Sequence, residues 1–196
     1  MKWAATLFFL TWGLAATTRA DDPGYYVTRS TTAMGTVVQA RAYLPVRPSD
    51  EQERAIASHL DAAIAEIRRL EALMTTWRPD SDISKVNAAA GQKAVVVSPE
   101  VYDVIAKSQQ FSAKSQGAFD ISFYALRGLW FFDEEPKAVL PDPKVLKARL
   151  PLINYRAIEL FPQNHAVRLA KAGMAINLGG IGKGYAVDAA VKLLRS

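Results

Sequence analysis

The chain contains no cysteine among its 196 residues. A disulfide framework and a thiolate metal site are therefore both excluded. Its two histidines, His59 and His165, are too few for a multi-histidine zinc centre. Any bound metal would have to sit among oxygen ligands, which favours magnesium or calcium. Charge of one sign is scarce as well. The net charge is +5, and 22% of residues are charged, too mild and too evenly spread a balance for nucleic-acid binding. Internal repeats and low-complexity linkers are missing. Half the residues are apolar, and the length suffices for one domain with a full hydrophobic core.

What is present begins with a leader pattern. Lys2 precedes a short apolar run from Trp3 to Ala16, and Thr18-Arg19-Ala20 offers small residues at the positions a signal peptidase reads. Residues 1–20 read as a cleavable secretory signal, leaving 21–196 as the mature part. The competing reading, an uncleaved anchor, meets a run shorter than the roughly 18 residues a spanning helix needs. Loss of Lys2 and Arg19 lowers the net charge from +5 to +3. Export without disulfides fits the bacterial periplasm.

The remainder mixes strands and helices without regular βαβ alternation, which predicts an α+β fold. Gly35 to Leu44 alternates, with Val38, Ala40, Ala42 and Leu44 on one face, as in an antiparallel strand with one wet side. Ser49 and Gln52 form a capping box. The helix that follows carries a buried stripe of Ile56, Leu60, Ile64, Ile67, Leu70 and Met74, and Pro79 ends it. Gly91 to Val97 reads as a strand. Ser98-Pro99-Glu100 opens a helix that buries Val101, Val104, Ile105, Ser108 and Phe111 and stops near Gly117. An aromatic-rich loop region with Leu129, Trp130, Phe131 and Phe132 follows. Asp142-Pro143 starts a short helix, and 156–161 with 166–169 form a hairpin. Met174 to Asn177 reads as a last strand, and Tyr185 to Leu194 as a helix.

Four stretches carry candidate chemistry. Gly179, Gly180, Gly182 and Gly184 lie between a strand and a helix, where backbone amides can approach a phosphate and Lys183 adds charge. Neither familiar glycine motif applies: Gly184 stands where the Walker pattern needs Ser or Thr, and Tyr185 where the dinucleotide fingerprint needs glycine. A purely structural tight turn stays open. Asp120, after Gly117-Ala118-Phe119, reads as a turn or cap residue or as a site carboxylate. Trp77, in Thr75-Thr76-Trp77-Arg78-Pro79-Asp80, reads as a ring for stacking or as packing at a helix end, with Asp80 as a cap for residues 81–86. Met34-Gly35-Thr36 alone says little.

The order of these stretches is more specific than any one of them. Met34-Gly35-Thr36, then Met74 to Ser84, then Gly117 to Ile121 with Leu129-Trp130, then Asn177 to Asp188, closely resemble the FAD:protein FMN transferase (ApbE) family. The resemblance implies a single domain of the family's own α+β, T-fold-type architecture, here truncated at its C-terminus. It implies that Met34 and Trp77 contact the flavin rings, with Ala118, Phe119 and Asp120 as another wall. Asn177 and Lys183 would hold the ribose, adenine or phosphate end, and the Gly180 carbonyl would be one ligand of a magnesium ion. The family often has Asp where this chain has Asn177, and Asn keeps an acceptor while losing the charge. FAD would be the substrate and Mg2+ the metal. The partners would be acceptor flavoproteins, subunits of membrane redox complexes facing the periplasm. FMN would pass to a Ser or Thr hydroxyl with release of AMP. The Asp and Thr that complete the family's metal site lie beyond residue 196, so a FAD-binding protein without transfer, or an inactive remnant, is also open.

Overall fold

The computed structural model describes residues 24–129 and 140–195. The expected signal segment at 1–20 and the aromatics Trp130, Phe131 and Phe132 lie outside these residues. The architecture is α+β, as the unpatterned mixture of elements implied.

β1 (Tyr25–Ala33) pairs antiparallel with β2 (Thr36–Leu44) in unbroken register from Tyr25 opposite Leu44 to Ala33 opposite Thr36. The turn is Met34-Gly35, with φ of 53° and 70°. Two successive positive φ values suit the right-handed twist of a two-residue hairpin, and glycine takes the second at no steric cost. β1 was not foreseen, because its polar threonines break the alternation. Its β-branched and aromatic content was the available cue.

α1 (Asp50–Met74) starts at the Ser49–Gln52 capping box and buries Leu60, Ile64, Ile67, Leu70 and Met74, as the spacing predicted. β1 lies along it and is tied on by Tyr25 Oη to Glu53 (3.1 Å), Arg29 to Asp61 (3.1 Å) and Arg68 to the Thr31 hydroxyl. α2 (Asp82–Ala88) is capped by Ser81, whose Oγ accepts the Ser84 N–H at 3.0 Å. Asp80, the expected cap, instead pairs with Arg78 at 2.7 Å.

The strand expected over 91–97 contracts to β3 (Val95–Val96). α3 (Pro99–Lys114) follows with proline in its first turn, but Ser98 makes no side-chain capping bond. Val101, Val104, Ile105 and Ser108 are buried as expected. Phe111 is not: it stands 53% exposed, one step beyond the face that meets the core. A 3-10 turn at Ile121–Leu126 leads on, and α4 (Pro143–Arg149) is capped by Asp142. The foreseen hairpin forms as β4 (Ile158–Phe161) and β5 (Ala166–Leu169), and β3 joins it in the order β3-β5-β4.

Met174, Ala175 and Ile176 are buried but join no ladder. Their polar backbone is satisfied elsewhere: the Asn87 side chain bonds both the N–H and C=O of Ile176, and the Asn177 N–H donates to the Ile121 carbonyl at 3.0 Å. α5 (Gly182–Arg195) begins three residues before its expected start.

The main core joins α1, α2, α3, β5, the 174–178 segment and α5 around Leu70, Ile83, Ile105, Ile121 and Ile176. A second, smaller cluster of Val27, Ala57 and Leu60 sits at the opposite end of the β1–β2 hairpin from its turn.

Candidate functional site

One cleft gathers residues from three of the four stretches. It holds about 180 Å³ and is lined by Met34 and Gly35, by Glu71 and Met74 to Trp77, and by Asn177, Leu178, Gly179, Gly182 and Lys183. That volume is below the roughly 300–1,000 Å³ of sites that enclose a whole drug-sized ligand. It suits one end of a dinucleotide better than all of it.

Each wall is fixed locally. At the end of α1, the Trp77 N–H donates to the Thr75 Oγ1 at 3.1 Å, and the Ser81 Oγ donates to the Thr75 carbonyl at 2.6 Å. This turn leaves Trp77 83% exposed at the rim. Of the two readings of Trp77, packing at a helix end is therefore not what it does. Beside it, the Arg78 guanidinium holds the Asp80 carboxyl below the usual carboxylate range.

The glycine loop is tied internally. Asn177 Oδ1 accepts the Gly179 N–H at 2.7 Å, and the Gly182 N–H donates to the Leu178 carbonyl at 2.7 Å. The amides of Gly180, Lys183 and Gly184 have no backbone acceptor in this loop, and Lys183 and Gly184 lie in the first turn of α5. Asn177 Nδ2 reaches the Thr76 hydroxyl at 3.4 Å, linking two stretches 101 residues apart. Lys183 is exposed, its Nζ 3.4 Å from the Gly179 carbonyl. A cation and free amides at a helix start are what an anionic group requires.

Met34, Trp77, Asn177 and Lys183 are thus brought together. Ala118, Phe119, Asp120 and Gly180 do not line this cleft. Phe119 and Gly180 adjoin each other, since a Cβ at Gly180 would stand 3.1 Å from the Phe119 ring. Asp120 is a cap: Oδ1 accepts from the Ser122 N–H (2.8 Å) and hydroxyl (2.6 Å), and Oδ2 from the Tyr155 N–H (2.8 Å). Its carboxylate is engaged inside the fold.

Glu71 was missed at the sequence level. The cue was its position, an acid in the last turn of a helix, where the macrodipole disfavours negative charge. Thr75 and Thr76 line the cleft as well, inside a stretch read mainly for Trp77.

Among the described residues no group of three or more His, Asp or Glu side chains could hold an ion. The Gly180 carbonyl alone does not fit magnesium, which takes near-octahedral oxygen coordination with carboxylate help.

The fold and these motifs recur in known proteins. The model of the ApbE family matches residues 34–196. An FAD:protein FMN transferase of Treponema pallidum is 33% identical over 171 residues, covering 85% of this chain and 46% of that protein. One from Klebsiella pneumoniae is 33% identical over 129 residues, covering 66% of this chain and 40% of that protein. The crystal structure of the ApbE protein of Thermotoga maritima superposes with a TM-score of 0.72 at 27% identity, over 87% of this chain and 52% of that one. The chain spans about half the length of the relatives it matches. With four collinear motifs, three of them meeting in one cleft, and a family match over most of its length, this chain belongs to the ApbE family.

Proposed function

We propose that the protein is an FAD:protein FMN transferase. The observation that carries this reading is the convergence of Met34, Trp77, Asn177 and Lys183 on one cleft in a chain of the ApbE family. The exposed Trp77 supplies a flat ring, and Met34 a flexible thioether, for contact with the flavin rings. Lys183 and the free amides at the start of α5 supply positive charge for the pyrophosphate. Phe119 and Gly180 extend this surface beside the loop.

In the transfer, the oxygen of a Ser or Thr hydroxyl on the acceptor bonds to the phosphorus on the FMN side of the pyrophosphate. The bond from that phosphorus to the bridging oxygen breaks, AMP leaves with the bridging oxygen, and the hydroxyl proton passes to solvent. In-line placement and charge neutralisation are the main requirements of such a step. Lys183 and the loop amides serve the second. Magnesium dependence is part of this reading, with the Gly180 carbonyl supplying at most one of the oxygen ligands such an ion needs. The leader at 1–20 would export the chain to the periplasm, where residues 21–196 would act on flavoprotein subunits of membrane redox complexes.

The test is an intact-mass assay of the full-length protein with FAD, magnesium and a Ser/Thr-containing acceptor domain. Addition of FMN to the acceptor with matching AMP release, abolished by a chelator, is the expected result. Quenching of FAD fluorescence without added mass would replace transfer with binding alone. Absence of both signals would overturn the reading.

A further inference from the structure

Glu71 and Met34, 37 residues apart in sequence, both line the cleft and are joined by a hydrogen bond. The Met34 backbone N–H donates to Glu71 Oε1 at 2.5 Å, a charge-assisted bond. Met34 is one of three non-glycine residues with positive φ among the described residues, a conformation that side chains resist. The register of the hairpin closes at Ala33 opposite Thr36, so the Met34 N–H lies in the turn, outside the ladder. Glu71 comes from the last turn of α1, where the helix macrodipole opposes an acid. An unfavourable charge placement and a strained turn thus meet in one short hydrogen bond at a cleft both residues line.

We propose that Glu71 is a positioning residue: it clamps the hairpin tip so that Met34 forms the flavin-side lip of the cleft. This rests on the flavin-transfer reading above. The other polar ties between β1 and α1, at Tyr25, Arg29 and Thr31, lie further from the tip. Ala33 and Met34 pack against the main core, and the Glu71 bond adds a directional hold on the turn backbone. Glu71 needs no contact with flavin for this role. It needs an oxygen acceptor at one position, which an amide also provides.

The test compares Glu71→Gln and Glu71→Leu in the full-length protein, with two readouts. Hydrogen exchange at the Met34 amide, read by mass spectrometry without ligand, reports the clamp. FAD and AMP titrations report its consequence. Glu71→Leu should speed Met34 exchange and weaken FAD binding roughly ten-fold while leaving AMP affinity within about two-fold. Glu71→Gln should stay near wild type in both. Unchanged Met34 exchange in Glu71→Leu would overturn the clamp. So would a Glu71→Gln variant as weak as Glu71→Leu, since charge and not the hydrogen bond would then matter. Equal loss of FAD and AMP affinity would reduce the role to general stability. Failure of the wild-type protein to bind FAD, with Met34 still protected, would remove the flavin reading and leave the clamp as a structural device.

Discussion

Asn87 acts as a strand for Ile176. Its side-chain amide donates to the Ile176 carbonyl at 3.0 Å and accepts the Ile176 N–H at 2.8 Å, the two bonds a neighbouring strand would make. The partners are 89 residues apart, and the segment they secure runs directly into Asn177 and the glycine loop.

Replacing this side chain should therefore cost more than a surface change. Asn87→Ala leaves a buried N–H and C=O without partners, an expected loss of about 2–3 kcal/mol. Denaturant unfolding should show a lower midpoint with an unchanged slope. A midpoint equal to wild type would mean that water replaces both bonds.

Lys183→Ala should weaken FAD binding about five-fold, and the gap should narrow as salt is raised, because Lys183 is exposed. Lys171→Ala, on an exposed turn away from the cleft, should bind as wild type does. Fluorescence titration at two ionic strengths checks both. Equal affinity of the two variants would remove Lys183 from the site.

Asp120→Ala should also weaken FAD binding, but by a different route. Its carboxylate accepts three hydrogen bonds within the fold, so the change should cost about 1–3 kcal/mol of stability and loosen neighbouring Phe119. A melting temperature lowered in Asp120→Ala and unchanged in Lys183→Ala separates the two routes. Weakened binding without a lower melting temperature would instead place Asp120 in direct contact with ligand.

Arg69 pairs with Glu66 on its own helix (2.7 Å) and joins α1 to α3 through Glu100 (2.5 Å). Its hydrogen bond holds the Glu66 carboxyl below the usual range, and a backbone N–H in the first turn of α3, with Arg69 behind it, does the same for Glu100. Both values are depressed by folding. Their stabilising effect is complete above the ordinary glutamate value, about 4.3, and fades as pH falls through the lower folded values. Glu66→Gln and Glu100→Gln should each flatten the fall in stability below about pH 4.3, followed by denaturant melts at successive pH values. Slopes matching wild type would show that neither carboxyl is shifted.

The legible parts of this fold were those whose cause is local. The α1 stripe, the Ser49–Gln52 box, the Asp142-Pro143 start and the 158–169 hairpin each follow from spacing or capping within a few residues. Met174 to Ile176 read as a strand because apolar burial marks depth and says nothing of the bonding partner, which here is the side chain of Asn87. Phe111 fell on the helical period yet outside the contact face, since the width of that face depends on what packs there. For the site, motif order located Met34, Trp77, Asn177 and Lys183. The internal engagement of Asp120 and the bond from Met34 to Glu71 depend on distant contacts that no local pattern carries.

The small cluster of Val27, Ala57 and Leu60 gives the hairpin an anchorage far from its working end. Seven residue steps of strand lead from Val27 to Met34, a reach of roughly 23 Å. Ala33 and Met34 at the tip pack against the main core, so the ribbon is held at both ends and a one-methyl repacking at Val27 or Ala57 meets resistance at the tip. Selection for altered flavin affinity in a variant library should accordingly enrich substitutions at the held tip, around Ala33 and Glu71, ahead of the distant base.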